Sequence, residues 1–124
     1  QLRVFTGTVD KVIHWAPIQD RVQVLFEIVA NLVSIQQGTH ATQKILIIQD
    51  EKNARCMKII YYEIGQSLPA LQIGSVVKCI GKFISRDVLH AFKIMASSVS
   101  EKSDVQRIAF ICEFAIQELL KSKA

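Results

Sequence analysis

The sequence predicts a mostly β domain, a small barrel, followed by one long helix. Two observations predict it. Runs of β-branched and aromatic residues, separated by short polar turns, fill most of residues 2–96. From residue 98 to the end the chain contains neither Pro nor Gly and its apolar residues recur at helical spacing. With 124 residues, 50% of them hydrophobic, the chain is long enough for one domain with a core of its own.

Six stretches read as strands because they are rich in Val, Ile, Leu, Phe and Tyr. They are residues 2–15 (bent or bulged at Gly7), 21–35, 44–49, 55–62, 75–84 and 88–96. Residues 16–20 are predicted to form a turn, and the polar residues 36–43 the longest loop. A short helix is predicted over residues 67–72, because Ser67 can cap it and Gly74 can end it.

The order of these elements indicates the type of barrel. Three strands, a short helix and two strands, with one extra strand in front, is the order of an OB fold, and Gly81 suits a bend where such a barrel closes. An SH3-like barrel shares much of this pattern, but the helix between the third and fourth barrel strands favours OB. The prediction is an OB-fold five-stranded barrel with an N-terminal extension strand over residues 1–97, and a C-terminal oligomerisation helix over residues 98–124.

The C-terminal helix has more apolar surface than one neighbour requires. Ser98 and Glu101 match a capping box, and nine apolar residues cover roughly half of the circumference after it. Phe110 and Phe114, an i, i+4 pair, lie outside that stripe among polar residues. We expect one face to meet the barrel and another a partner; the alternative is a helix that packs only on its own barrel. The partner-binding candidates, whose division between barrel and partner stays open, are Val105, Ile108, Phe110, Ile111, Cys112, Phe114, Ala115 and Leu119.

Composition and motifs bound the function class. The net charge of +4 favours an anionic partner. The three cysteines, Cys56, Cys79 and Cys112, lie in largely apolar sequence and are expected to be buried, reduced thiols of an intracellular protein. The apolar runs are too short to span a membrane. Scattered histidines and the lack of Cys-x-x-Cys, His-x-His or Gly-rich motifs predict no catalytic residues, no metal and no cofactor.

Particular residues carry a resemblance to known proteins. Residues 89–95 and the helix ending at 120–124 resemble the last strand and C-terminal helix of the middle subunit of replication protein A. More closely, nearly the whole chain resembles the C-terminal domain of the spermatogenesis-associated protein 22 family. The matching positions are Leu2-Arg-Val, Trp15, Phe26-Glu27, Tyr61-Tyr-Glu-Ile64, Leu68-Pro69, Val76, Cys79, Gly81 and Ala96-Ser-Ser-Val-Ser-Glu101.

The resemblance implies a meiotic role. That family is a germ-line paralogue of the replication-protein-A middle subunit, with a meiosis-specific OB-fold partner that resembles the large subunit. It implies a heterodimer through C-terminal helices, association with replication protein A, and action on single-stranded DNA, directly or through the partner. The implied setting is homologous recombination and double-strand break repair on meiotic chromosomes in the nucleus. The alternative is the somatic middle subunit or another OB-fold adaptor that binds DNA directly; the polar linker at residues 96–100, where the somatic subunit keeps a Pro, argues against it.

The resemblance also suggests a DNA-binding surface. OB domains bind single strands through stacked aromatic rings and a basic groove. Phe83 matches a stacking Phe, and Tyr61 or Tyr62 lies near a stacking Trp; only one of the two tyrosines can face outward, because side chains alternate along a strand. Phe83 as a core residue, and each cation as ordinary solvated surface, are the alternatives. The phosphate-contact candidates are Lys44, Arg55, Lys58, Lys82, Arg86 and Lys93, with His40 in the long loop.

Overall fold

The computed structural model describes residues 1–122, which fold as a closed barrel with a long helix packed on its outside. The elements, in chain order, are β1 (Arg3–Gly7), α1 (Val9–Trp15), a 3₁₀ turn (Ala16–Asp20), β2 (Val24–Gln37), β3 (Gln43–Gln49), β4 (Cys56–Tyr62), β5 (Val76–Ser85), β6 (Val88–Ala96) and α2 (Val99–Ser122). Residues 123 and 124 of the predicted helix lie outside the described residues. No helix in residues 1–122 has both the length and the hydropathy needed to cross a bilayer.

The barrel closes around β2, the longest strand. One edge of β2 pairs antiparallel with β5, and the second half of the other edge pairs antiparallel with β3. From β3 the ring continues through β4 to β6, which is parallel to β4 and antiparallel to β5. β1 pairs in parallel with residues 24–28 of β2, beside the half that β3 uses. The predicted OB-fold five-stranded barrel with an N-terminal extension strand and a long C-terminal helix is confirmed.

The prediction of one strand over residues 2–15 is wrong, because the chain forms β1 and then turns into α1. Val9, Val12 and Trp15 are fully or almost fully buried, at a spacing that puts them on one side of a helix. The Thr8 side chain caps the helix by accepting a hydrogen bond from the Lys11 amide. Rather than bending a strand, Gly7 makes room for the Trp15 ring, which would lie 2.8 Å from a Cβ at that position.

The predicted helix over residues 67–72 is also wrong, because no helix forms between β4 and β5. The backbone groups of this segment have other partners. The Leu68 amide donates to a carboxylate oxygen of Glu63 at 2.8 Å, and the Gly74 amide to the carbonyl of Leu32 at 2.7 Å. Leu68 and Leu71 nevertheless pack against the core. In the sequence, these two apolar residues were equally compatible with a helix and with an irregular segment that packs on the core.

The cysteines follow the prediction only in part. All three are free, and burial of Cys79 raises the pKa of its thiol to about 12. Cys112 is half-buried, whereas Cys56 is exposed at the first position of β4, so the expectation that all three are buried is wrong. The sequence around Cys56 gave no sign of which face of the strand it would occupy.

Candidate functional surfaces

The first surface is helix α2, one side of which packs against the barrel. Val105 is buried against Val29 and Val76 on the outer wall formed by β2 and β5, and Ala109 and Ile116 join the main core. Three further residues, Cys112, Leu119 and Leu120, are half-buried and pack against that core. Burial of one aliphatic side chain stabilises by about 1.5–3 kcal/mol, so this row holds the helix firmly in place.

Polar contacts fix the same side of α2. The predicted capping box forms: the Ser98 hydroxyl accepts from the Glu101 amide at 3.0 Å, and the Glu101 carboxylate accepts from the Ser98 amide at 3.3 Å. Glu101 also pairs with Lys78 of β5, and hydrogen bonding from Lys78 lowers the pKa of the Glu101 carboxyl.

Farther along α2, Glu113 connects the helix to α1. Its carboxylate accepts from Trp15 Nε1 at 3.0 Å and pairs with Lys11 Nζ at 3.3 Å. Hydrogen bonds from Gln117 and then from Trp15 lower the pKa of Glu113, because they favour its charged form. Together with the capping box, this contact sets which face of α2 points away from the barrel.

The face that points away is apolar. The exposed fractions are 39% for Ile108, 69% for Phe110, 64% for Ile111 and 66% for Phe114, and Ala115 is exposed beside them. The rings of Phe110 and Phe114 contact each other edge to face, with centroids 6.2 Å apart. We call these five residues the outer face of α2. The division left open by the sequence therefore has an answer: Val105, Cys112 and Leu119 turn toward the chain's own barrel, and the other five partner-binding candidates form the outer face.

The second surface is the outside of the barrel, where two of the three predicted stacking rings are not accessible. Phe83 is buried and packs edge to face on Phe26, with centroids 5.3 Å apart. Tyr61 is buried as well, and its hydroxyl donates to the Gln66 carbonyl. Both assignments as base-stacking residues are wrong, because both side chains occupy the inward positions of their strands. Tyr62 is the tyrosine that faces outward.

The predicted phosphate contacts separate into two groups. Lys44 lies 3.8 Å from a Glu63 carboxylate oxygen and donates to Gln37, and Arg55 pairs with Asp10 at 3.2 Å. The others, Lys58, Lys82, Arg86 and Lys93, are exposed and form no ion pair with the described part of the chain. His40 is exposed in the loop between β2 and β3.

An open groove between α1, the 3₁₀ turn and the end of β5 brings together Arg55 and Arg86. Asp10 and Asp20 also line it, so two carboxylates offset the two guanidinium groups. Two aromatic rings line its wall, those of His14 and Phe83, and Phe83 is buried. The groove therefore lacks the cationic excess expected of a phosphate site.

A row of three rings on the outer face of β4 and β6 was not predicted. Tyr62 and His90 lie edge to face with ring centroids 5.5 Å apart, and His90 and Phe92 likewise at 5.1 Å. We call these three residues the aromatic row. It arises because Leu89, Ala91 and Ile94 are buried, a spacing that breaks the alternation of a regular strand and leaves Phe92 and Lys93 both outside.

These observations define the class of the protein as an OB-fold domain that carries an apolar helix face on one side and, on another, an aromatic row beside exposed lysines. Solved structures of the same fold include a replication protein A heterotrimer bound to single-stranded DNA, with TM-score 0.67, 15% identity and coverage of 94% of this chain and 98% of that one. They also include the S. pombe Stn1–Ten1 complex, with TM-score 0.64, 12% identity and coverage of 81% and 78%. At such identities the likeness concerns the fold.

Comparison by sequence identifies relatives that share more than the fold with this chain. The chain is 26% identical over 117 residues to spermatogenesis-associated protein 22 of Homo sapiens, which covers 94% of this chain and 32% of that protein. It is 27% identical over 114 residues to the Mus musculus protein, with 90% and 31% covered. The chain therefore spans about a third of the length of the curated relatives it matches. No family model matches the chain. The resemblance to spermatogenesis-associated protein 22 is confirmed.

Proposed function

We propose that the chain is a non-catalytic OB-fold subunit of a meiotic single-stranded-DNA-binding complex. Residues 98–124 form a heterodimer with a meiosis-specific OB-fold protein that resembles the large subunit of replication protein A. Residues 1–97 supply the barrel. The complex associates with replication protein A during homologous recombination and double-strand break repair, on meiotic chromosomes in the nucleus.

The outer face of α2 carries this proposal. Four large apolar side chains are exposed on a helix whose other side is already fixed to the barrel. Ile108, Ile111 and Ala115 lie at i, i+3 and i+7, the spacing at which one helix packs along another, and the two phenylalanines widen this stripe. A contiguous apolar patch of this kind on a soluble domain is typical of a protein interface.

The comparisons support the partner's class. The replication protein A structure is a heterotrimer, and the Stn1–Ten1 structure is a complex of two named proteins, so this fold occurs in multi-subunit assemblies. The relatives' name associates them with spermatogenesis, which fits a meiotic setting.

The direct test is co-expression of this chain with the large-subunit-like meiotic partner, followed by mass measurement of the purified complex. Phe114→Glu puts a charge at the centre of the outer face and is expected to abolish co-purification, because the interface would have to bury an unpaired carboxylate. Phe92→Glu is the matched control: it is the same substitution at a ring that is 51% exposed on β6. A complex that tolerates Phe114→Glu, or that fails equally with Phe92→Glu, would contradict a heterodimer through α2.

The second candidate function is direct binding of single-stranded DNA by this chain alone, as in a somatic middle subunit or another OB-fold adaptor. The observation that favours it is a group of barrel cations that form no ion pair with residues 1–122: Lys58, Lys82 and Lys93. Fluorescence anisotropy of a labelled oligonucleotide tests it, because log K should fall with log salt by about 0.7 for each phosphate contacted. Binding that does not weaken as salt rises would exclude a phosphate site.

A further inference from the structure

We propose that Tyr62, His90 and Phe92 form a stacking platform for the bases of single-stranded DNA on the outer face of β4 and β6. The platform rests on the proposed function and specifies where the DNA is held. One of its strands, β4, carries the Tyr62 position that the resemblance indicates, and the other, β6, pairs with β5, the strand of the buried Phe83.

The geometry of the row suits stacking. β4 and β6 are neighbouring parallel strands, with Ile60 opposite His90, so Tyr62 and His90 are diagonal neighbours on one face. The two centroid distances, 5.5 and 5.1 Å, join the three rings into one continuous aromatic surface. Phe92, at its end, is half exposed. Rows of aromatic side chains on an open sheet face stack about two or three bases in other nucleic-acid-binding domains.

A β-bulge builds the exposed end of the row. Gly81 and Ile80 of β5 pair with Ala91 and Lys93, so Phe92 has no partner and is the extra residue of the bulge. The close approach of the two strands there requires a glycine, since a Cβ on Gly81 would lie 2.0 Å from the His90 carbonyl oxygen. Without the bulge, Phe92 and Lys93 would lie on opposite faces, and only one of them would reach solvent on the outer wall.

The charges around the row fit a polyanion. Lys82 is the cross-strand partner of His90, Lys93 follows Phe92 in sequence, and Lys58 lies on the same face of β4 as Tyr62. All three lysines are exposed and form no ion pair with the described residues. Two carboxylates lie near these residues in the chain. Glu63 follows Tyr62 and pairs with Lys44, and Asp87 is exposed, with its backbone carbonyl accepting from the Lys58 amide. Rings between unpaired lysines match the alternation of bases and phosphates along a single strand.

The position of the row leaves α2 free. Around the barrel the strand order is β2, β3, β4, β6 and β5, so β4 and β6 are the two strands not adjacent to β2. α2 lies over β1, β2 and the start of β5. A strand on the aromatic row and a partner on the outer face of α2 therefore occupy different sides of the molecule, and each can be tested without the other.

The experiment is fluorescence anisotropy of a labelled oligo(dT), about 4–16 nucleotides long, with the whole chain and with its complex with the partner. Phe92→Ala is expected to weaken binding about five- to 150-fold, the loss of one stacked base, and His90→Ala and Tyr62→Ala to weaken it in the same range. Ile73→Ala, which removes a side chain that is 60% exposed between β4 and β5 and belongs to neither surface, is expected to leave the affinity unchanged. An abasic strand of equal length should bind more weakly and be insensitive to Phe92→Ala, because it offers phosphates but no bases.

The outcomes separate the platform from the proposed function. Oligo(dT) binding that survives all three ring substitutions overturns the platform and leaves a DNA-binding complex standing. Absence of binding by both the chain and the complex overturns both. Equal losses on oligo(dT) and on the abasic strand overturn stacking, since only phosphate contacts would then be affected. If Phe92→Ala disrupts the complex with the protein partner and leaves DNA affinity intact, the row is a protein-binding surface and the platform is wrong.

Discussion

Ile116 and Ile111 lie on opposite sides of α2, and replacing each by Ala tests how the helix is seated. Ile116 is 1% exposed and belongs to the main core, whereas Ile111 is 64% exposed on the outer face. Both substitutions remove the same three carbons, worth about 2.4 kcal/mol of transfer free energy at ~0.8 kcal/mol per methylene when fully buried. At Ile116 the cavity adds to this loss, so we expect the free energy of unfolding to fall by about 2–5 kcal/mol.

At Ile111 only roughly a third of the transfer term applies and solvent fills the space, while Ala regains a few tenths of a kcal/mol in helix propensity. The expected loss for Ile111→Ala is below about 0.5 kcal/mol. Urea unfolding of the isolated chain, followed by circular dichroism, measures both values. In the complex with the partner, Ile111→Ala is expected to lower affinity. Similar destabilisation by both substitutions in the isolated chain would refute the orientation of α2.

Three further perturbations have defined outcomes. Glu113→Gln removes the charge but keeps an acceptor for Trp15. Because the pKa of Glu113 in the folded protein lies below its ordinary 4.5, the charged carboxylate stabilises the fold above that pH, and this stabilisation is lost as the pH falls through the folded pKa. The free energies of unfolding of wild type and variant, measured by urea titration, should therefore converge in acid. Gly81→Ala forces a methyl group against the His90 carbonyl and is expected to cost about 1–3 kcal/mol or more in thermal unfolding; unchanged stability would contradict the tight bulge. Ser98→Ala removes the cap of α2 and should cost about 0.5–2 kcal/mol, and a loss of helical circular dichroism confined to the first turn would accompany it.

Most of the fold could be predicted because its signals are local. Alternation along β3 and β4 and the capping box at Ser98 depend on neighbouring residues, and the structure agrees with them. α1 was missed because Val and Ile suit a strand as well as a buried helix, and burial on one side decided the outcome. The expected helix over residues 67–72 failed for the converse reason: its cap and breaker residues fit, but its backbone found partners in Glu63 and β2.

The functional surfaces were less accessible from sequence than the fold. The excess of apolar residues on α2 could be counted, but which of them face the barrel depends on distant contacts such as that between Trp15 and Glu113. Phe83 and Tyr61 were misassigned because one position along a strand exchanges inside for outside. The aromatic row depends on a bulge, which shifts register midway through β6 and joins rings that are 28 and 30 residues apart in the chain, Tyr62 with His90 and Phe92.

The pairing of β1 bears on how the protein can be shortened. β1 covers residues 24–28 of β2, an edge that β3 does not reach because its own pairing starts at Asn31. β1 also seats α2: Phe5 is buried, and the Thr6 amide donates to Cys112 Sγ. A version that begins at residue 8 would leave five positions of β2 without a ladder partner on that edge and remove part of the helix's support. Such bare edges recruit other chains, so trimming this end should yield aggregated material rather than a smaller domain.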